Sequence, residues 1–129
     1  MLDTNIVSAL VGPPHGKLLE RIAVTGGEHL CISAITAAEL RYGVSKKGSG
    51  RLQRDIEAIL QAMNILPFEP PADHFYARIR HALTSVGTPV GPVDFFIAAH
   101  ALSLDLTLVT ANIGEFSRVP GLRVENWLD

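Results

Sequence analysis

The chain has 129 residues, 47% hydrophobic and 19% charged, which is the size of one ordinary domain and apolar enough for a packed core, so a disordered chain is excluded. Its single cysteine, Cys31, excludes an internal disulfide, and together with the lack of a secretory leader pattern it points to a reducing, cytoplasmic setting. Eleven Lys and Arg against thirteen Asp and Glu leave a net charge of −2, which excludes nucleic-acid attraction by bulk charge; no apolar run approaches the roughly 20 residues of a membrane span.

Apolar runs of strand length alternate with segments of helical period along the chain. Met1-Leu2 reads as a strand end, with Asp3 at the entry to a helix. A short strand is expected at 29–32, followed by a helix marked by Ile35, Ala38 and Tyr42. Leu52, Ile56, Ile59 and Met63 mark the apolar face of the next helix, which ends at a strand over 64–68 and the breaker Pro70-Pro71. Ala72, Tyr76, Ile79, Leu83 and Val86 form a helix stripe closed by Gly87. Gly91-Pro92 opens another helix with proline at its first position, expected to run to about Leu104. Further strands are expected at 106–110 and 122–127. This βαβ rhythm predicts one α/β domain over 1–129, with a central, mostly parallel sheet and helices on both faces.

In such sheets the ligand crevice lies beyond the carboxyl ends of the strands. Asp3, Glu39 and Asp94 all stand at such junctions, and Asn112 and Glu115 lie just beyond the strand ending at Thr110. Three or four oxygen ligands converging there suit Mg²⁺ or Mn²⁺, hard ions that take carboxylates and keep several waters. Taken singly, each acid has an ordinary structural explanation. Asp3 can cap a helix, Thr36-Ala37-Ala38-Glu39 spells a capping box, and Asp94 complements a helix dipole. Acids at every junction of one sheet edge exceed what capping requires, and helix N-termini favour the ionised form a cation needs.

Three stretches resemble PIN-domain ribonucleases of the VapC toxin family: Met1-Leu2-Asp3-Thr4-Asn5-Ile6, Ala37-Ala38-Glu39-Leu40-Arg41-Tyr42-Gly43, and Gly87-Thr88-Pro89-Val90-Gly91-Pro92-Val93-Asp94 with Ile97-Ala98-Ala99-His100-Ala101-Leu102. Leu108-Val109-Thr110-Ala111-Asn112, Glu115-Phe116 and the segment 119–127 resemble the same family's ending, so the match runs in order along nearly the whole chain. The resemblance implies a PIN-like three-layer fold and a Mg²⁺-dependent endoribonuclease, with Mn²⁺ as a possible substitute. It also implies a toxin that forms a homodimer, acts on tRNA or ribosomal RNA, and is inhibited by a cognate VapB-type antitoxin. Carried over by position, Asp3, Glu39 and Asp94 match the family's catalytic and metal-holding acids. Asn112 stands where many PIN domains have a fourth acid, Glu115 is a candidate replacement, and Asn5 belongs to the same pocket. Two departures stand out. Only Met1 and Leu2 precede Asp3 where the family has a longer apolar strand, so either this strand is very short or the start lies upstream. Ala111 replaces an Asn common beside Asn112, which thins the polar network there.

The chemistry expected is hydrolysis of an RNA phosphodiester assisted by one or two ions held by Asp3, Glu39 and Asp94. Arg41, Lys46, Lys47, Arg51 and Arg54 fall between Glu39 and Asp55 with no acid among them, forming either a solvated face or an RNA-backbone track. Few aromatics are available for base stacking, which favours recognition of a shaped loop. A metal-free ribonuclease would need histidines as acid and base. Only His100 lies near a matched motif, about 240° around its helix from Asp94, which indicates a packing or supporting role. The alternative function is a catalytically weak PIN-like module that dimerises and binds antitoxin or RNA.

Overall fold

The computed structural model describes residues 1–87 and 90–129; Thr88 and Pro89, inside the motif ending at Asp94, lie outside the described residues. The elements are α1 (Thr4–Ser8), α2 (Gly16–Thr25), β1 (Cys31–Ser33), α3 (Ala34–Lys47), α4 (Gly50–Ala62), β2 (Asn64–Leu66), α5 (Ala72–Ser85), α6 (Pro92–Ser103), β3 (Leu108–Val109), α7 (Ile113–Phe116) and β4 (Val124–Glu125).

β1 pairs with β2 and β3 with β4, both in parallel, with Cys31 opposite Asn64 and Leu108 opposite Val124. Residues 1–3 join the two pairs. The Leu2 N–H donates to the Cys31 carbonyl, the Val109 N–H to the Met1 carbonyl and the Asp3 N–H to the Val109 carbonyl, all at 2.8–2.9 Å. Leu2 bridges Val109 in parallel, so the first strand is reduced to a single bridge at the centre of the order β2, β1, 1–3, β3, β4. Because side chains alternate along strands, Leu2, Ile32 and Val109 enter one apolar cluster while Met1, Cys31 and Leu108 meet the other. The first cluster is completed by Ile6, Leu18, Leu40, Ile56 and Leu60, the second by Ile79, Leu83, Phe95, Ile97 and Phe116. Helices therefore cover both faces of the sheet, in line with the three-layer expectation.

The helix boundaries follow local chemistry. α6 starts at Pro92, whose missing N–H costs nothing in a first turn, and α5 spans the stripe expected from Ala72. The cap of α3 corrects the expectation. Ser33 is the N-cap, its hydroxyl accepting the Ile35 N–H at 3.0 Å, so Thr36 lies inside the helix and the capping box with Glu39 does not form. Glu39 is thereby left free in the second turn. The strands are shorter than expected, two or three residues each: His29 belongs to a 3-10 turn, and Pro67, which has no N–H to give, follows the last residue of β2. α2 was not among the expected helices, although Leu18, Leu19 and Ile22 stand at helical spacing in it; Leu18 is its only buried residue.

Candidate active site

Asp3 leaves the central bridge and caps α1, with Oδ1 accepting the Thr4 N–H at 2.8 Å. Its Oδ2 accepts the Thr110 hydroxyl at 2.8 Å. Thr110 follows β3, is fully buried, and its Oγ1 also accepts the Asn112 N–H at 3.0 Å. One buried hydroxyl thus fixes the first acid and the loop that carries Asn112. Asn5 Oδ1 accepts the Ala111 N–H at 3.1 Å, so the backbone closes the corner that Ala111 thins. Asp3 is itself buried. Burial pushes its carboxyl above the ordinary range, the Thr110 and Thr4 bonds pull it back, and the Glu115 charge adds to the rise.

Asp94 sits half-buried in the first turn of α6. Glu115 on α7 is hydrogen-bonded to it, accepts the Gly91 N–H through Oε1 at 2.6 Å, and accepts the Asn112 side-chain amide through Oε2. Burial, then the charge and hydrogen bond of Glu115, then the charges of Asp3 and Glu39 push the Asp94 carboxyl up to about 7. The acids are therefore near enough to oppose one another's ionisation. Asp3, Asn5, Glu39, Asp94 and Asn112 line one cleft of about 410 Å³, along with Thr4, Ser8 and Val93; no Lys, Arg or His is among the lining residues. Among the described residues, no three His, Cys, Asp or Glu side chains are already drawn together as a closed ligand set. The acids instead surround an open cleft, which suits an ion that keeps part of its water shell.

The PIN domain family model matches residues 1–122. Ribonuclease VapC2 of Haemophilus influenzae is 40% identical over 131 residues, covering 99% of this chain and 97% of that protein. The tRNA(fMet)-specific endonuclease VapC of Salmonella typhimurium is 38% identical over 128 residues, covering 98% and 96%. This chain belongs to the VapC family of PIN-domain proteins. The solved VapBC2 complex of Rickettsia felis, bound to a DNA fragment from its promoter, matches this PIN domain with a TM-score of 0.90 at 34% identity, over 98% of this chain and 97% of that one. The DNA-bound VapBC of Salmonella typhimurium matches with a TM-score of 0.87 at 39% identity, over 98% and 96%.

The PIN domain brings together every acidic-pocket residue expected from its sequence: Asp3, Asn5, Glu39, Asp94 and Asn112 line the cleft, and Glu115 backs Asp94. The basic residues divide. Arg41 is held by Glu57 of α4, Nε to Oε1 at 2.9 Å and Nη2 to Oε2 at 3.3 Å, so an acid outside the basic stretch engages its first member. Lys46 and Lys47 end α3, while Arg51 and Arg54 lie early in α4, all exposed. His100 is buried, with Nδ1 2.7 Å from the Ser33 hydroxyl, its ring edge-on to Phe68, and a further hydrogen bond to the Pro67 backbone. Burial lowers its pKa, and its place is in packing beneath the start of α3 rather than in the cleft.

Thr110 is the residue that sequence reasoning missed. Its only sequence signal is a hydroxyl at the carboxyl end of a strand beside an acidic corner. Thr110→Val keeps the shape but leaves Asp3 Oδ2 without its donor and the Asn112 N–H without its acceptor. The expected cost is about 1–3 kcal/mol of stability by denaturant titration and about 10–100-fold in activity, both restored by Thr110→Ser.

Proposed function

We propose that this PIN domain is the toxin of a VapBC-type toxin–antitoxin pair, a metal-dependent endoribonuclease that hydrolyses an RNA phosphodiester at the cleft of Asp3, Glu39 and Asp94. One observation carries the reading. Three carboxylates share a cleft with no cationic side chain in its lining, and burial first, then the charge and hydrogen bond of Glu115, then the charges of Asp3 and Glu39 lift Asp94 to about 7. A divalent cation is the countercharge such an oxygen-only set fits, with Asp3, Glu39 and Asp94 to hold it and Asn112 beside them. When bound, Mg²⁺ or Mn²⁺ supplies Lewis-acid polarisation of the phosphate and a lowered water pKa.

The protein's own contribution is positioning. Thr110 and Thr4 hold both oxygens of Asp3, so its orientation is set before substrate arrives. Glu115 ties the N-terminus of α6, through Gly91, to Asn112, which fixes where Asp94 enters the cleft. Lys46, Lys47, Arg51 and Arg54 offer cationic contacts to an RNA backbone, and Arg41 contributes through the exposed face of its pair with Glu57. tRNA or ribosomal RNA is the substrate class, tRNA being supported by the name of the Salmonella relative; the partners are a cognate VapB-type antitoxin, supported by the VapBC complexes, and a second copy of the chain, as the family resemblance implies.

The test is incubation of the purified protein with total cellular RNA in Mg²⁺, Mn²⁺ or chelator, with new 5′ ends mapped. Cuts at a defined site in either metal, absent in chelator, are expected. No cuts under any metal would favour the non-catalytic binding module.

A further inference from the structure

The wall formed by Thr4, Ser8 and Glu39 has a second side. These three residues also line a neighbouring pocket of about 370 Å³ between α1, α3 and α4, walled by the apolar side chains of Leu40, Val44, Leu52 and Ile56 and also lined by Gly43 and Lys47. Glu39, Gly43 and Lys47 follow one another at four-residue steps on α3. One helix face therefore carries an acid of the cleft, a gap and a cation, the outer two about 12 Å apart along the axis.

The gap is unusual. Gly43 lies inside a 14-residue helix, where glycine is less favourable than alanine. Among the described residues nothing asks for it: its φ is not positive, and a Cβ at this position would meet no described atom within 4 Å. The missing side chain leaves open a space that the protein itself does not fill.

We propose that this pocket receives the unstacked base of the nucleotide adjoining the scissile phosphate, with Lys47 taking the phosphate on the far side of that base. The proposal rests on the reading of the acidic cleft as an RNA-cleaving centre and names where its substrate is gripped. The walls shared with the cleft put the pocket one residue along any strand whose phosphate lies at the acids. The volume is in the range of small-molecule sites, and an apolar lining accepts the face of a base without reading its edge. A nucleotide carries a flat apolar face and an adjoining anion in every unit, and the acidic cleft next door engages the same strand, which is why it is favoured over an apolar protein side chain.

The probes are RNA oligonucleotides spanning the mapped cleavage site, intact or with one abasic position on either side of the cut, each with a non-hydrolysable linkage at the scissile position, bound to the full chain in Mg²⁺ or Mn²⁺. Removing the base on one side is expected to weaken binding about tenfold or more. Gly43→Leu, which fills the pocket, should weaken intact RNA to a similar degree and add little to the abasic loss, since both remove one interaction. Gly43→Ala serves if the leucine variant does not fold: it should raise Tm while giving a smaller loss of RNA affinity. Unchanged RNA affinity in the pocket variants, or losses that multiply independently, would overturn the subsite; lost antitoxin binding with RNA affinity intact would assign the pocket to the partner protein. Failure of the unmodified chain to cut RNA with any metal would instead sink the nuclease reading on which it rests.

Discussion

Replacing Asp94 with asparagine is expected to cut RNA cleavage by about a thousandfold or more while leaving the fold intact. The substitution keeps the size of the side chain and allows a hydrogen bond to Glu115, so the start of α6 has no reason to move. It removes one of the three carboxylates available to hold a cation, and stabilisation of the reacting phosphate by a bound metal is worth several kcal/mol, with each 1.4 kcal/mol a factor of ten in rate. It also removes a charge that Glu115, Asp3 and Glu39 oppose. The metal-free variant should therefore melt higher than the parent at pH 8, even as it loses activity. Steady-state cleavage and thermal melts on the same preparation check both halves, and near-parental cleavage by the variant would remove Asp94 from the site.

The second large effect is a pH dependence of stability that a divalent ion abolishes. Asp94 titrates in the folded state at about 7 against an ordinary value of 3.8, and Asp3 is displaced in the same direction. A carboxyl raised on folding makes the native state bind more protons than the unfolded chain between about pH 4 and pH 7. Stability then falls as pH rises through that window and levels off above it. Asp94 is only half-buried, so solvent screening reduces the effect, and the Asp94 contribution is expected to be a fall in Tm of a few degrees from about pH 5 to about pH 8 in chelator, present in the parent and absent in Asp94→Asn. On the proposed function, Mg²⁺ or Mn²⁺ should bind the ionised acids and so raise Tm strongly at pH 8 and little at pH 5. The lowered pKa values of His100 and the Met1 amine act in the opposite sense over the same range, so the reading is the Tm difference between the parent and Asp94→Asn; a difference that stays constant from pH 5 to pH 8 would show that the Asp94 carboxyl is not raised on folding.

The parts of the site legible in the sequence were those that depend on local placement. Asp3 follows a strand end and Glu39 lies in the second turn of the helix after β1, positions that the βαβ order brings to one edge of a parallel sheet, whereas Asp94 opens α6 directly after α5 and was legible from the Gly91-Pro92 helix start and not from a strand end. Pro92 marks the start of α6 for a purely local reason, and the stripe beginning at Ala72 gave α5 within a residue. The parts that were hidden depend on distant pairing. Thr110 meets Asp3 across 107 residues because residues 1–3 insert beside β3, a pairing no local pattern announces. Glu57 reaches Arg41 only once α3 and α4 fold against each other, so a stretch without acids in sequence acquires one in space. At the start of α3 two caps competed. Ser33, three residues before Thr36, took the position, and the apparent capping box left Glu39 available to the cleft.

The central claim is that one divalent-cation site at Asp3, Glu39 and Asp94 is the site of RNA cleavage. It is tested most directly by titrating Mn²⁺ into the metal-stripped protein at pH 8, following metal binding by calorimetry and cleavage of the mapped RNA in parallel, for the parent chain and Asp94→Asn. Binding and cleavage should saturate together in the parent, and both should be lost or greatly weakened in the variant. Cleavage that persists in chelator, or Mn²⁺ binding that is unchanged by Asp94→Asn, would contradict it.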